Sequence, residues 1–486
     1  MFCKTVLCPK NKQKLFHVLV VVYCLGLTGL LISWRVHGTS RSLDAILYHD
    51  NTIRVDSLKK KYFPSVKESV ADKTLLNPVY IGGNNCSKRR VVSFFDRPML
   101  LSAEPICSWL KSEHSLGNFI GYANEFAHLH DVVVNPLNAA GRKGGENMSS
   151  VWKQNEQDEY LKLKSGYFSI QCNTSLEYQF SSKTHLKEWK NSLACDPKNN
   201  FNGMVKIKGL TIAVQRYEYV NLYHTMTDYY NAFLVMLIFN KSPDDTTILW
   251  VDSHPSGGLD QTWKTLFSNT IRAGHLRGPT VFEDMVWSIM GYDSPLNQHN
   301  RPFTPYLEQF REFFLTRHGV SPAKTLDCAH LNVMFIWRRD YIAHPRNPSG
   351  LVKRKIANEA ELLETVRKAV PGHNVTGVQL DALPMRQQLE LVANTDIFLG
   401  MHGAGLAHTL FLPKHGGLIE FYPTYWSPSN RHFRAMATWR GLQYQTWQNT
   451  DSFNEKKDYY TYIPPQTLLN MFLEVKTKMC RQVEKR

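Results

Sequence analysis

The chain has 486 residues, and its 43% hydrophobic and 20% charged residues are the composition of a globular protein. This length excludes a single small domain and fits two or three domains or one large two-lobed unit. The net charge of +15 does not indicate nucleic-acid binding, because four lysines lie in residues 1–14 and the other charges are spread along the chain. Such a chain is better suited to anionic small molecules or acidic surfaces.

Residues 15–34 carry no formally charged side chain. As a helix they would span about 30 Å, the thickness of the hydrocarbon core of a bilayer. Residues 1–14 contain lysines and no acid, which predicts a cytosolic tail. We therefore expect a transmembrane signal anchor at 15–34, a stem at 35–80 and a lumenal remainder. A cleaved signal peptide is the alternative, but its apolar segment is shorter and ends at small residues, whereas this one ends at Trp34 and Arg35.

Cysteines and sequons agree with a lumenal location. Six cysteines lie beyond residue 34. Their even count and wide spacing predict disulfides but leave the pairing open. They are Cys86, Cys107, Cys172, Cys195, Cys328 and Cys480. Five N-x-[ST] sequons, at Asn85, Asn147, Asn173, Asn240 and Asn374, predict glycosylation of at least one of them.

In the segment 81–320 the clearest pattern is a helix between strand candidates. Residues 205–207, 210–214 and 247–251 read as strands, and 221–239 predicts a helix because its apolar residues recur at spacings of three and four. The polar, glycine-rich segment 140–160 predicts an exposed loop.

From about residue 325 strands and helices alternate, a pattern that predicts a parallel sheet with helices on both faces. The predicted strands are 333–337, 375–380, 397–400 and 418–421. The predicted helices are 359–370, 385–393, 406–411, 433–439 and a closing helix at 464–485.

A turn of small residues, Gly400-Met401-His402-Gly403-Ala404-Gly405-Leu406, follows one of these strands. Small residues allow a ligand to approach the backbone, and a helix start offers unpaired N–H groups that suit a diphosphate. His402 would lie at the carboxyl end of the strand, where α/β sheets bind ligands. We predict an anion site at His402, Gly403, Ala404 and Gly405. A turn selected only for packing is the alternative.

Two arginines, Arg338 and Arg339, directly follow the strand 333–337. At a strand's carboxyl end they can neutralise a pyrophosphate leaving group without a metal. A solvated loop with surface ion pairs is the alternative.

A third group, Asn221, His224 and Asp228, is spaced i, i+3 and i+7 and would share one helix face. A histidine with an acid one turn on is a candidate general base with an orienting partner. A capping asparagine on an ordinary polar helix face is the alternative.

Metal motifs are absent from the sequence. It contains neither a C-x-x-C pair nor the D-x-D of many metal-dependent transferases, so we predict no metal at the site. The stretch His128-Leu129-His130-Asp131 could bind a metal, but ordinary alternation at a strand end is the favoured interpretation.

These segments resemble glycosyltransferase family 61, through residues 400–406 and the pattern Asn221-x-x-His224-x-x-x-Asp228. Finer matches resemble the N-glycan β-1,2-xylosyltransferases of that family. They are Gln215 to Tyr219 with the following helix start, Arg338 to Arg346, and Trp439 to Tyr444. The resemblance covers about residues 205–445. It departs at Val220, where alanine is expected, and at 348–350, which bears on acceptor specificity.

The resemblance implies an α/β, GT-B-like fold of two Rossmann-like lobes, 81–320 on the acceptor side and 321–486 on the nucleotide-sugar side. It implies a Golgi enzyme, anchored as a type II membrane protein, that transfers xylose with inversion from UDP-xylose to O2 of the core β-mannose of N-glycans. No cofactor is expected, and a divalent metal is expected to be dispensable.

The resemblance also implies roles for residues. His224 would be the base and Asp228 its orienting partner, or the reverse, with Asn221 beside them. Arg338, Arg339 and His402 to Gly405 would hold the diphosphate, and Glu420 the ribose hydroxyls. Acceptor or supporting contacts are expected from Arg216, Glu218, His344 and Arg346.

Three rival interpretations remain. A family-61 transferase could use UDP-GlcNAc or UDP-arabinose on a protein or polysaccharide. A non-catalytic lumenal glycan-binding protein or chaperone subunit is less favoured, because the His224 and Arg338 groups are intact. A binder of acidic polysaccharide is supported only by charge.

Overall fold

The computed structural model describes Cys86 and residues 90–91, 99–172, 177–180, 184–197, 201–321 and 323–484. The predicted tail, the anchor at 15–34 and the stem at 35–80 lie outside these residues. In the part of the chain that is described, none of the helices combines the length and hydropathy needed to span a bilayer. Residues 81–486 form one compact unit, in which two lobes are each built on a sheet.

The N-terminal lobe contains strands β1 to β13 and helices α1 to α5. The strands are β1 Arg90–Val91, β2 Met99–Leu100, β3 Glu113–Leu116, β4 Phe119–Tyr122, β5 Phe126–Val134, β6 Ala139–Ala140, β7 Lys162–Leu163, β8 Phe168–Ile170, β9 Leu193–Cys195, β10 Val205–Val214, β11 Thr246–Trp250, β12 Asn269–Arg272 and β13 Thr280–Trp287. The helices are α1 Ile106–Lys111, α2 His185–Ser192, α3 Leu222–Ile238, α4 Asp260–Leu266 and α5 Leu307–Arg317.

The sheet of this lobe is half parallel and half antiparallel. Its order is β12-β11-β10-β13-β5-β4-β3, with β8 and β9 attached beside β5. Strands β12, β11, β10 and β13 are parallel, whereas β5, β4 and β3 pair antiparallel. Short turns join β3 to β4 and β4 to β5, and such turns allow only antiparallel pairing. The expected Rossmann-like character therefore holds only for the parallel half.

The C-terminal lobe contains strands β14 to β21 and helices α6 to α9. The strands are β14 Asn332–Ile336, β15 Lys355–Ile356, β16 Asn374–Val378, β17 Ile397–Met401, β18 Gly417–Tyr422, β19 Gln443–Gln448, β20 Glu455–Lys456 and β21 Tyr460–Thr461. The helices are α6 Glu359–Ala369, α7 Met385–Ala393, α8 His432–Trp439 and α9 Pro465–Glu484.

The main sheet of this lobe is parallel throughout, in the order β16-β14-β17-β18-β19. This confirms the alternating pattern predicted from the sequence. The order is that of a doubly wound sheet whose topological switch point lies between β14 and β17. Ligands bind such sheets outside the carboxyl ends of the strands at the switch point.

The two sheets share a central layer of helices. Helix α3 is almost entirely buried in this layer, together with residues of α5, α7, α8 and the 3₁₀ segment Ala404–Phe411. Separate apolar clusters cover the outer faces of the two sheets. The mixed α/β architecture is consistent with a GT-B-like fold, and it brings the start of α3 to the carboxyl ends of β14 and β17.

The predicted disulfides are confirmed. Cys86 pairs with Cys107, Cys172 with Cys195, and Cys328 with Cys480. The last of these joins residues 152 positions apart and fastens the closing helix α9 to the segment before β14. The sequon asparagines Asn147, Asn240 and Asn374 are exposed.

Candidate active site

The first wall of the site lies at the switch point of the C-terminal sheet. Arg338 follows β14, and His402 and Gly403 follow β17. A Cβ atom at Gly403 would collide with the Arg338 guanidinium, and one at Gly405 would collide with the side chain of Ile336. The glycine at 403 therefore makes room for the arginine, while at Gly405 the packing interpretation of this turn is correct.

A second arginine, Arg354, completes this wall and was missed from the sequence. Its guanidinium stacks on Trp426 at 4.3 Å, and its Nε is buried without a hydrogen-bond partner. Burial and the nearby charge of Arg338 lower the pKa of Arg354 to about 10, and burial also lowers the pKa of Arg338. Among the described residues no carboxylate forms an ion pair with either arginine. The charge of Asp381 acts on Arg338 from beyond ion-pair distance. Two close guanidinium groups without an ion-paired carboxylate favour the binding of an anion.

Arg339 does not join this wall, which corrects the prediction of a paired Arg338 and Arg339. Its side chain is 55% exposed and forms an ion pair with Glu359 at 2.6 Å. Successive residues of extended backbone point to opposite sides, so only one of the two arginines can face the switch point. The basic run Lys353-Arg354-Lys355 was the available signal for Arg354. Its middle residue has a left-handed backbone, with φ of 61°.

His402 is held by a buried carboxylate. Its Nδ1 donates to Glu420 Oε1 at 2.6 Å, and the hydroxyl of Tyr444 donates to Glu420 Oε2 at 2.8 Å. Burial lowers the pKa of His402, whereas Glu420 raises it. The side chain of Glu420 is fully buried and both of its oxygens are engaged by His402 and Tyr444, so in this structure it presents no free oxygen to a ribose. Glu420 instead fixes the ring of His402.

The second wall of the site is the start of α3. Asn221 caps this helix, because its Oδ1 accepts a hydrogen bond from the backbone N–H of Tyr223 at 3.1 Å. His224, one turn on, is half-buried between the rings of Tyr217 and Tyr292, whose centroids lie 5.3 and 5.8 Å from its own. Burial lowers the pKa of His224, with a smaller opposing effect from Glu218. Its imidazole is therefore neutral at neutral pH and can accept a proton.

Asp228 is not the orienting partner of His224. Its carboxyl group lies against Gly291 and accepts a hydrogen bond from the backbone of Tyr217. Its Oδ2 is buried without a partner, and burial raises its pKa well above the ordinary value. Within the described ranges no hydrogen bond joins it to His224. Because it is turned into the core, Asp228 supports the loop of Tyr217 and not the imidazole.

His432, the first residue of α8, connects the two walls. Its ring lies 4.4 Å from that of Tyr223 and 5.7 Å from that of His402, measured between centroids. Burial and the neighbouring His299, His402 and His224 lower its pKa to about 3. Sequence reasoning missed this residue, although a histidine at a helix start beyond a strand's carboxyl end was a usable signal. The walls therefore meet through neutral imidazole rings.

A polar cavity adjoins this junction. It has a volume of about 750 Å³ and is lined by residues 297–301 of the N-terminal lobe and by Ser429 and Arg431 of the C-terminal lobe. Three of its lining residues, Asn297, Gln298 and Asn300, carry amide side chains that can bind hydroxyl groups.

Comparison with known proteins identifies this arrangement. Residues 222–419 match the family model described as Glycosyltransferase 61. This part of the chain belongs to glycosyltransferase family 61. The matched segment contains His224, Arg338, Arg354 and His402, and thus supplies residues of both walls.

The names of three similar proteins describe sugar transfer. A protein of Oryza sativa subsp. japonica described as beta-1,2-xylosyltransferase RCN11 is 29% identical over 48% of this chain and 48% of its own length. The beta-1,2-xylosyltransferase of Arabidopsis thaliana is 25% identical over 64% of this chain and 62% of its own length. The EGF domain-specific O-linked N-acetylglucosamine transferase of Xenopus laevis is 29% identical over 50% of this chain and 46% of its own length. The matches thus span between about half and three fifths of these relatives.

Arg216, just before the family-61 match, is structural. It is 1% exposed, contacts both oxygens of Asp252 at 2.8 Å and reaches Asp260 at 2.8 Å. Burial opposes its charge, but the two carboxylates raise the pKa of Arg216 above its ordinary value. Burial opposes the charge of Asp252 as well, and Arg216 lowers its pKa to about 2. Because its charge is compensated, Arg216 stabilises the strand ends of the N-terminal lobe.

The remaining predicted residues form an ionic contact between the lobes. Arg346 pairs with Glu156 at 2.9 Å and Glu218 at 3.4 Å, and His344 lies 3.5 Å from Glu218. Glu159, fully buried, lies 3.4 Å from both His344 and Arg346. Of the two roles expected for Glu218, His344 and Arg346, acceptor contact or support, these contacts favour support of the lobe interface. The segment 140–160 is a largely exposed loop, as predicted, and its buried Glu159 contributes to this contact.

The described residues contain one cluster of histidine and carboxylate groups with the spacing of a metal site, and it lies on the sheet of the N-terminal lobe, outside the two walls.

Proposed function

We propose that the chain is an inverting glycosyltransferase that transfers xylose from UDP-xylose to O2 of the core β-mannose of N-glycans. The observation that carries this proposal is the opposition of a neutral imidazole, His224, and the uncompensated guanidinium pair of Arg338 and Arg354. An inverting transfer needs one base for the acceptor and one stabilised leaving group, and these are the two walls.

The reaction is a single in-line displacement. His224 takes the proton of the mannose O2 hydroxyl as this oxygen bonds to C1 of the xylose. The bond between C1 and the diphosphate oxygen breaks at the same time, and its electron pair leaves with UDP. Charge then grows on the diphosphate, where Arg338 and the unpartnered Nε of Arg354 are already oriented. Such preorganised donors are effective because they need no rearrangement during the reaction.

The supporting residues fix this geometry. Hydrogen bonds link Tyr444 to Glu420 and Glu420 to His402, and they hold the imidazole ring of His402 at the proposed anion site. The amide-lined cavity at 297–301 is the proposed acceptor subsite, since amide groups can both donate to and accept from sugar hydroxyls. We also propose the Golgi membrane as the location, a GT-B-like arrangement of the lobes, and a divalent metal that is dispensable for turnover.

The choice of xylose rests on residues 215–219, 338–346 and 439–444, which resemble the xylosyltransferases. A second candidate is transfer of GlcNAc to EGF domains, because a relative of that name has the same 29% identity as the rice xylosyltransferase. A non-catalytic glycan binder is disfavoured, since it has no need of an uncompensated arginine pair opposite a neutral histidine.

The deciding experiment is mass spectrometry of a GlcNAc-terminated N-glycan incubated with the purified chain and UDP-xylose. Parallel reactions contain EDTA or Mn²⁺, and others contain an EGF domain with UDP-GlcNAc. We expect one pentose added to the core mannose in both UDP-xylose reactions. A product only with Mn²⁺ would contradict metal independence. A GlcNAc-modified EGF domain without any pentose product would contradict the choice of donor and acceptor.

A further inference from the structure

A compact histidine and carboxylate cluster lies on the N-terminal sheet, away from the proposed active site. His128 and His130 belong to β5, and Asp284 belongs to the neighbouring antiparallel strand β13, directly opposite His130. Residues two apart on a strand share one face, so both histidines point toward the side of the sheet that α3 covers. The strand alternation that seemed to argue against a metal site is therefore what brings the two imidazoles together.

The distances suit a small cation. One ligand atom from each of the three residues lies within 4.8 Å of the others. His128 Nε2 contacts Asp284 Oδ1 directly, His130 Nδ1 lies 3.6 Å from the same oxygen, and the two imidazole centroids are 4.3 Å apart. Bonds of about 2.0–2.2 Å to a tetrahedral zinc ion place its ligands roughly 3.4 Å from one another. Small side-chain rotations, which replace the hydrogen bond from His128 to Asp284, would meet this geometry.

The donor set suits zinc. Two imidazoles and one carboxylate are ligands that zinc accepts readily, and a water molecule would fill the fourth tetrahedral position. The site also lies near the carboxyl end of α3, because the ring of Phe239, which follows the helix, is 4.6 Å from that of His128. The negative end of the helix dipole favours a cation there, whereas the charge of Lys241 opposes it.

We propose that His128, His130 and Asp284 bind a zinc ion, with a water molecule in the fourth position. This ion would join β5 to β13, which is where the antiparallel half of the sheet meets the parallel half. Helix α3 begins beside His224 and has 17 residues, so the two sites lie roughly 25 Å apart along it. The ion therefore stabilises the lobe and takes no part in the transfer.

The test is a zinc titration of the purified full chain after removal of metal with a chelator, using zinc sulfate in competition with a chromophoric chelator. The variants His130→Gln and Asp284→Asn are compared with wild type and with His330→Gln, whose side chain is 74% exposed. We expect wild type and His330→Gln to bind one more equivalent of zinc than His130→Gln and Asp284→Asn. We also expect zinc to raise the Tm of wild type and His330→Gln only. Equal stoichiometry in all four proteins, or no zinc bound by wild type, would overturn the proposal.

Two further measurements exclude trivial outcomes. Far-UV circular dichroism of the metal-free proteins verifies that His130→Gln, whose side chain is only partly buried, still folds. Cobalt(II) in place of zinc distinguishes this site from the cysteines near the N-terminus, since thiolate ligands give a near-ultraviolet charge-transfer band. We expect visible absorption without that band. A thiolate band that persists in His130→Gln, with no other difference between the proteins, would place the metal elsewhere and contradict the proposal.

Discussion

Arg216 of the N-terminal lobe and Arg338 of the C-terminal lobe occupy equivalent positions beyond the carboxyl ends of parallel strands. In the N-terminal lobe, Arg216 is enclosed by the carboxylates of Asp252 and Asp260. In the C-terminal lobe, Arg338 and Arg354 lie close together, and Arg354 retains a buried donor without a partner. An arginine at a strand end can be structural or available to a ligand. The difference between the lobes teaches that the presence or absence of paired carboxylates distinguishes the two cases. In the proposed mechanism the N-terminal wall contributes a neutral base and the C-terminal wall contributes the positive charge.

The largest expected effect comes from the base of the N-terminal wall. Replacing His224 by Gln removes the proton acceptor, so we expect kcat to fall by about 10²–10⁴-fold. UDP affinity should be unchanged, because the charge that binds the diphosphate lies on the opposite wall. Steady-state kinetics and UDP titration measure the two quantities. Retention of most of the turnover, or a parallel loss of UDP affinity, would contradict the division between the walls.

The next effect concerns the compensated arginine. Arg216→Met leaves Asp252 buried without its ion-pair partner, whereas Asp260 keeps its ion pair with Arg272. We expect the free energy of unfolding to fall by about 3–5 kcal/mol. Arg338→Met should leave it unchanged or raise it, because this substitution removes a charge that burial disfavours. Urea unfolding followed by circular dichroism compares the two variants. If Arg338→Met were the more destabilised protein, the comparison between the lobes would be reversed.

A smaller effect is expected from the residues that fix His402. Tyr444→Phe removes one hydrogen bond to Glu420, which is worth about 1 kcal/mol, and so should weaken UDP binding by roughly fivefold. A merely structural role would lower stability without changing UDP affinity. Calorimetric titration of UDP, together with a thermal melt, separates these outcomes.

The smallest effect is a displacement of the pH profile. Because burial lowers the pKa of His224 below its ordinary 6.5, the base stays unprotonated until the pH falls below that value. We expect kcat/KM to be constant near neutrality and to decline on acidification, with its midpoint below pH 6.5. The residual activity of His224→Gln should lack this midpoint. A midpoint above 6.5 would show that another group is the base.

The C-terminal fold was readable because its signals are local. Buried parallel strands such as Ile397–Met401 are continuous apolar runs, and Met385–Ala393 has the amphipathic spacing of a surface helix. The edge strand Gln443–Gln448 was missed because it is largely polar. Strands β3 and β4 were missed, and only residues 128–131 of β5 were recognised, because the identity of these strands depends on tertiary pairing that no local pattern encodes.

On the C-terminal wall, the site was predictable only where a residue follows a strand directly. Arg338 and His402 meet that condition, and both lie on the wall that was expected. Arg354 reaches the same wall from a loop with a left-handed turn, and His432 reaches it by docking of α8, so their positions depend on tertiary packing. Asp228 shares a helix with His224, but burial and not helical spacing decides which way its carboxyl group turns.

The most direct test of the account is a calorimetric titration of UDP onto wild type and onto Arg338→Gln, Arg354→Gln and Arg339→Gln. The last variant is a matched control, because Arg339 is adjacent in sequence but pairs with Glu359 at the surface. We predict that the first two variants bind UDP at least about tenfold more weakly, since hydrogen bonds to charged groups contribute about 1.5–3 kcal/mol. We predict that Arg339→Gln binds it as wild type does. Equal loss in all three variants, or loss only in Arg339→Gln, would contradict the claim that the uncompensated pair is the diphosphate site.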